Sequence, residues 1–187
     1  MSLWTKNEEN LKVETAGANY LTKSGIYGCS IEEAQIIKGQ NGVSTALQVI
    51  FKTENDELFR VKHWYIGKEG KEVKAAAAIC QQLFYLLKLK EENVKILEVP
   101  DKKVIIPDLV GKTVGVINTV EYDGQYYNHN VKAYFDIKSK KTSKEILEKK
   151  NAEVYERWKE IFNKEENKNT EEKVEDKNEG LPEEFPF

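Results

Sequence analysis

Three successive runs of strand-like alternation, an unbroken helical stretch, and two further strand runs around an Asp-Gly turn occupy residues 25–137. That order predicts a mainly β fold with α: a five-stranded OB-fold-like barrel with a helix after strand three. A C-terminal amphipathic helix and a disordered acidic tail complete the expectation. The chain has 187 residues, 33% charged and 40% hydrophobic, enough for one compact domain with extensions. We read 1–24 as an N-terminal arm, 25–137 as the barrel, 138–163 as the C-terminal helix and 164–187 as the tail.

The first strand opens at Gly25. Tyr27, Cys29 and Ile31, then Ala34, Ile36 and Ile37, are its apolar positions, and Glu32-Glu33 breaks the pattern as a bulge or bend would. Lys38-Gly39-Gln40-Asn41-Gly42 is a turn signal, because Asn-Gly tolerates positive φ. Residues 45–52 alternate, with Leu47, Val49 and Phe51 on one face and Ala46, Gln48, Ile50 and Lys52 on the other. Glu54-Asn55-Asp56-Glu57 turns the chain into the third strand, 58–66.

The period then changes. No Gly or Pro occurs over 72–89, and Val73, Ala76, Cys80, Leu83, Phe84 and Leu87 recur at helical spacing. Pro100 and Pro107 bracket a loop or short edge strand. Residues 109–122 and 126–137 flank Asp123-Gly124, a hairpin signal. Thr142-Ser143-Lys144-Glu145 has capping-box form. A helix with Leu147, Val154, Trp158 and Ile161 on one face follows, ending near Asn163, to cap the barrel or to pack on a second subunit as a homo-oligomer. Residues 164–179 are nearly all charged or amide and bury too little to offset their ordering entropy, so disorder is expected.

Several function classes drop out. Mean hydropathy is −0.64, and no apolar run reaches the roughly 18 residues of a membrane helix. The first residues show no apolar signal core, which predicts a cytoplasmic protein. Cys29 and Cys80 lack metal-ligand spacing and read as reduced core thiols. Gly111-Lys112-Thr113 resembles the end of a P-loop, but Ile106 stands where that motif needs Gly, and strand residues follow instead of a helix. His63 and His129 fall on strand positions without partner spacing for zinc, so buried, hydrogen-bonded rings are expected. No carboxylate pair sits in an apolar setting, so we expect no catalytic residue, metal or cofactor.

The formal charge of −3 hides an asymmetry. Residues 1–162 hold 25 Lys+Arg against 23 acids, whereas 163–187 hold 4 Lys against 9 acids. The cations of the body include a row on the third strand, where Arg60, Lys62 and Trp64 face away from Phe59, Val61 and Tyr65. Two cations alternating with an indole suit a single nucleic-acid strand, since cations neutralise phosphates and the indole stacks on any base. The plainer alternative is a solvated face with Trp64 packed beneath a loop. Tyr122, Tyr126 and Tyr127 ring the Asp-Gly turn, and Tyr126, Asn128, Asn130, Lys132 and Tyr134 share one face by alternation. Aromatics and amides there can stack on and hydrogen-bond to bases. Lys38, Lys52 and Lys112 extend the backbone-tracking groove, and the lysine-rich 138–150 segment offers a longer path.

The chain ends Glu183-Glu184-Phe185-Pro186-Phe187. Exposed aromatics at the end of a charged run promote aggregation unless they are used, so this end reads as a peptide ligand whose Phe enters a partner's apolar pocket. The 25 residues from 163 reach about 25–30 Å if flexible, enough for their acids to compete for the body's own cationic row.

That tip resembles the acidic tip of bacterial single-stranded DNA-binding proteins, with Glu for the usual Asp and Phe185 for the usual Ile. The whole chain resembles the single-stranded DNA-binding proteins of tailed bacteriophages, which pair an OB-fold with an acidic tail ending in Phe. The resemblance implies a barrel that coats single-stranded DNA in replication and recombination, and a tail, Glu183 to Phe187, that recruits partner proteins in a bacterial host cell. A second hypothesis is an interaction adaptor whose barrel binds protein or RNA and whose tail docks. A nuclease or recombination subunit would need an acidic metal cluster, which the sequence lacks.

Overall fold

A computed structural model describes residues 19–99 and 103–178. They form a mainly β fold with helices, built on one antiparallel sheet of seven strands that does not close. The strands are β1 (Gly25–Lys38), β2 (Thr45–Thr53), β3 (Leu58–Ile66), β4 (Leu97–Val99), β5 (Lys103–Ile105), β6 (Thr113–Tyr122) and β7 (Tyr127–Phe135). The helices are α1 (Lys74–Leu86), α2 (Ser143–Leu147) and α3 (Glu153–Asn178).

β1 is the axis of the sheet. Its later part pairs with β2, while its other edge takes β6 from Gly25 to Ser30 and β5 at Gln35 and Ile36. Register shifts between Ile31 and Glu33, the expected bulge, and such a bulge bends a strand so that it can serve different neighbours at its two ends. β2 carries β3, β6 carries β7 and β5 carries β4. The five expected strands are therefore seven: β5 lies in the loop or edge strand expected between Pro100 and Pro107, and β4, with which it pairs, is not expected from the sequence.

The inner face buries Ile31, Val49, Phe51, Phe59, Val61, Val116 and Tyr134, with Leu83 and Leu87 from the α1 end. The Phe51 and Phe59 rings stack at 5.2 Å. Leu21 also belongs to this core at 1% exposure, so the arm is integral from Asn19 onward. Leu58 donates its N–H to the Asn19 carbonyl and accepts from the Leu21 N–H, and Ser24 Oγ accepts from the Val120 N–H at 2.8 Å. The polar residues flanking Leu21 hide it from a composition-based reading.

The C-terminal region departs from one helix over 138–163. The chain turns after α2, with Lys149 in the left-handed region (φ 54°), and Leu147 is left exposed. α3 then packs Val154, Tyr155, Trp158 and Phe162 on Ile26, Ile117, Ala133 and Phe135 of the sheet's outer face. Its backbone stays helical to Asn178, which corrects the disorder expected from Lys164 as far as that residue. Glu and Lys lose little rotamer freedom in a helix, and no Gly or Pro intervenes until Gly180.

Glu145 ties the two helices together. Its carboxylate accepts from the Thr142 N–H and hydroxyl, completing the capping box, and from the Val154 N–H at 2.8 Å at the start of α3. Burial pushes this carboxyl up, but those hydrogen bonds outweigh it and hold the group below the usual carboxylate range. Glu145→Ala should therefore cost about 2 kcal/mol, read from the urea midpoint, because three donors lose a charged acceptor. An unchanged midpoint would show that water replaces the carboxylate without loss.

Candidate nucleic-acid interface

β3 alternates as its sequence predicts. Phe59, Val61 and His63 are buried, Arg60 and Lys62 are exposed, and Trp64 is 37% exposed. Across β2 the outward row faces Ile50, Gln48 and Ala46, none of them charged. Neither Arg60 nor Lys62 forms an ion pair among the described residues. Lys52 differs: Glu32 at 3.5 Å and Asp56 at 3.8 Å already balance it. Lys38 is exposed at the end of β1, opposite Thr45. Lys112 is exposed before β6, on the edge of β1 away from β2 and β3, and so does not join the row.

The β6–β7 hairpin presents three aromatic rings. Tyr122, Tyr126 and Tyr127 are exposed, and the rings of Tyr122 and Tyr127 lie 4.9 Å apart. Gly124 sits at φ 95°, where a side chain would strain the turn. Asp123 organises the tip by accepting from the Gln125 and Tyr126 N–H groups and from Asn128 Nδ2, which lowers its carboxyl pKa. Asn128 is thereby spent on the turn.

Tyr134 is a correction. Alternation places it beside Lys132 on the outer face, but it is fully buried, and its hydroxyl lies 2.7 Å from His63 Nε2. The cause is a register shift. Ile117 lies opposite Ala133 while Asn118 lies opposite Val131, so Lys132 is an extra, exposed residue. The bulge inverts every facing beyond it, putting Val131 and Tyr134 on the core side and Ala133 and Phe135 under α3.

β3 and β7 approach each other without a backbone ladder. The Phe59 ring lies 5.2 Å from His129, and His63 meets Tyr134 farther along, so the two strands advance in the same sense. Tyr20 bridges the β3 edge at Leu58. Elsewhere along this edge a cleft of about 320 Å³ opens between Val61–Trp64 of β3, the start of α1, and His129–Val131 of β7. Lys62, Trp64 and Asn130 all border it. Sequence reasoning named Asn130 but missed His129 and the meeting of β7 with β3, since no local pattern reports which non-adjacent strands meet. One signal was present: the alanines at 75–78 are too small to fill such a gap.

His63 is buried, as expected, whereas His129 is half-buried. Burial pushes the His63 imidazole down to about 4, and that of His129 in the same direction. The unfolded chain, titrating near 6.5 at His63, therefore takes up a proton first. Stability at this residue is whole above pH 6.5 and falls towards pH 4 by about 3 kcal/mol. Urea unfolding at pH 7 and pH 4 reads this loss, and His63→Gln should shrink it; an unaltered pH dependence in that variant would assign it elsewhere.

The remaining chemistry is sparse. Both cysteines are free, and burial pushes Cys29 up to about 12 and Cys80 up to about 11, so neither is a thiolate at neutral pH. Among the described residues no group of His, Cys, Asp and Glu could hold a metal ion, and no helix is long and apolar enough to cross a membrane. The tip from Glu183 to Phe187 lies outside the described residues. Comparison with protein-family models and with curated protein sequences finds no match.

Proposed function

We propose that this is a non-enzymatic, sequence-independent single-stranded DNA-binding protein that coats and protects DNA during replication and recombination. The observation that carries the reading is the exposed Arg60–Lys62–Trp64 row on β3, whose two cations have no ion pair among the described residues, beside the cleft to β7. Supporting it, the five long strands follow an OB-type order with β4–β5 as an insertion. β1 is shared by β2 and β6, α1 follows β3, and β3 lies beside β7 in the same sense. In that fold the strand 2–3 face and the loops after strands one and four take oligonucleotides. Here those are the Arg60 face, the turn after Lys38 and the tyrosine hairpin. The acidic tip at Glu183–Phe187 would recruit replication or recombination proteins in a bacterial cytoplasm, a role resting on its sequence alone.

Quenching of tryptophan fluorescence by oligo-dT is the direct test. Binding should weaken by about two to three orders of magnitude over a tenfold rise in salt, as about four phosphate contacts require. Absence of both quenching and a mobility shift at low salt would refute the reading. One observation favours the adaptor instead: an apolar groove of about 290 Å³ beside α1, lined by residues including Ile36, Tyr65, Phe84 and the exposed Ile96. Failure of the DNA test would leave that groove as the better guide.

A further inference from the structure

We propose that the β3–β7 cleft is a pocket for one unstacked nucleobase of the bound strand, and that it reads a base carbonyl oxygen, which thymine, guanine and cytosine all carry, so that it adds little sequence preference; this rests on the single-strand-binding reading above. The cleft is continuous with the cationic row, because Lys62 and Trp64 belong to both. A strand lying along β3 brings its phosphates to Arg60 and Lys62 and its bases to the Trp64 indole and the opening behind it.

The lining matches a base better than a phosphate. Val61, Ile79 and Val131 give apolar walls for a planar ring. The one cation is Lys62, on the outward face of β3. Within the cleft the polar groups are neutral, since burial lowers the pKa of both imidazoles.

His129 supplies the reading group. Asn118 Nδ2 donates to His129 Nδ1 at 3.0 Å, which leaves the ring proton on Nε2. Among the described residues nothing accepts from that Nε2–H. Among the described residues the side-chain polar atom both buried and unpartnered is Asn118 Oδ1, so His129 Nε2 is not sealed in the core, and its residue lines the cleft. A donor held on a cleft wall, with its tautomer set from behind, awaits an acceptor such as a base carbonyl.

The test compares oligo-dT with an oligomer of its isostere 2,4-difluorotoluene, which keeps shape and stacking but has no carbonyl. The full chain should prefer oligo-dT by about tenfold, the value of a hydrogen bond to an otherwise unpaired donor. Ala76→Phe, which fills the cleft from α1, should abolish the preference and keep the salt dependence. Equal binding of both oligomers, or a preference that survives Ala76→Phe, overturns the pocket while the binding reading stands. Binding to neither overturns both. Because a bulky residue at 76 can perturb folding, a second measurement uses the unaltered chain. A 4-thiothymidine oligomer should photo-crosslink to peptides carrying Trp64 or His129, and crosslinks confined to the hairpin tyrosines overturn the pocket.

Discussion

Replacing Arg60, Lys62 and Trp64 together by alanine is expected to lower affinity for oligo-dT by about three orders of magnitude at low salt. Each cation lost removes about 0.7 from the salt slope, and the indole contributes about 1–3 kcal/mol of stacking. All three side chains leave the outer face of β3, and none of them belongs to the core, so the fold should lose little. Lys112→Ala is the matched control, because Lys112 lies on the edge of β1 away from that face. Titration by fluorescence anisotropy at two salt concentrations gives both affinity and slope. A triple variant that binds like the parent, or a Lys112 variant that falls as far, would move the interface elsewhere.

Phe135→Ala should cost about 3–5 kcal/mol, a large share of the roughly 5–15 kcal/mol that holds a typical domain together. The ring fills the space over Gly115, its partner on β6, where any side chain would collide with it. Tyr155 of α3 meets the same ring edge-on at 5.2 Å. Truncation therefore opens a cavity and removes the anchor of α3 at once. Urea unfolding gives the energy, and amide exchange in residues 153–162 should rise more than in β2. Gly115→Ala approaches the same contact from below and should cost about 1–3 kcal/mol. A loss under about 1 kcal/mol in Phe135→Ala would mean that Trp158 and Phe162 hold the helix without it.

Local periodicity carried much of the architecture. The alternation of Leu47, Val49 and Phe51, the helical spacing of Leu83 and Phe84 and the Asp123-Gly124 turn each report on their own neighbourhood, and each lies in the element expected. What escaped was non-local or off-register. The inserted residue Lys132 shows only in the pairing of β7 with β6, so strict alternation put Tyr134 on the wrong face. Leu21 looks like one apolar residue in a polar arm until its partner Leu58 is known. The continuation of α3 past Asn163 was missed because weighing burial ignores the intrinsic helix propensity of Glu and Lys. Of the candidate site, the β3 row was legible because exposure follows alternation directly. The seam to β7 was not, since it depends on which strands meet.

The shared strand has a consequence for the order of folding. β1 is made first, yet its early half finds a partner only when β6 arrives, and Ser24 bonds to Val120, 96 residues away. The β1–β2–β3 meander can form as soon as its short turns close, but the Gly25–Ser30 part of the other edge of β1 stays open until then. Closing so long a loop late is slow, which places this chain among the slower single-domain folders. During synthesis the bare edge from Gly25 to Ser30 is exposed to pairing with another nascent chain. A truncated chain that stops before β6 should accordingly aggregate through β1.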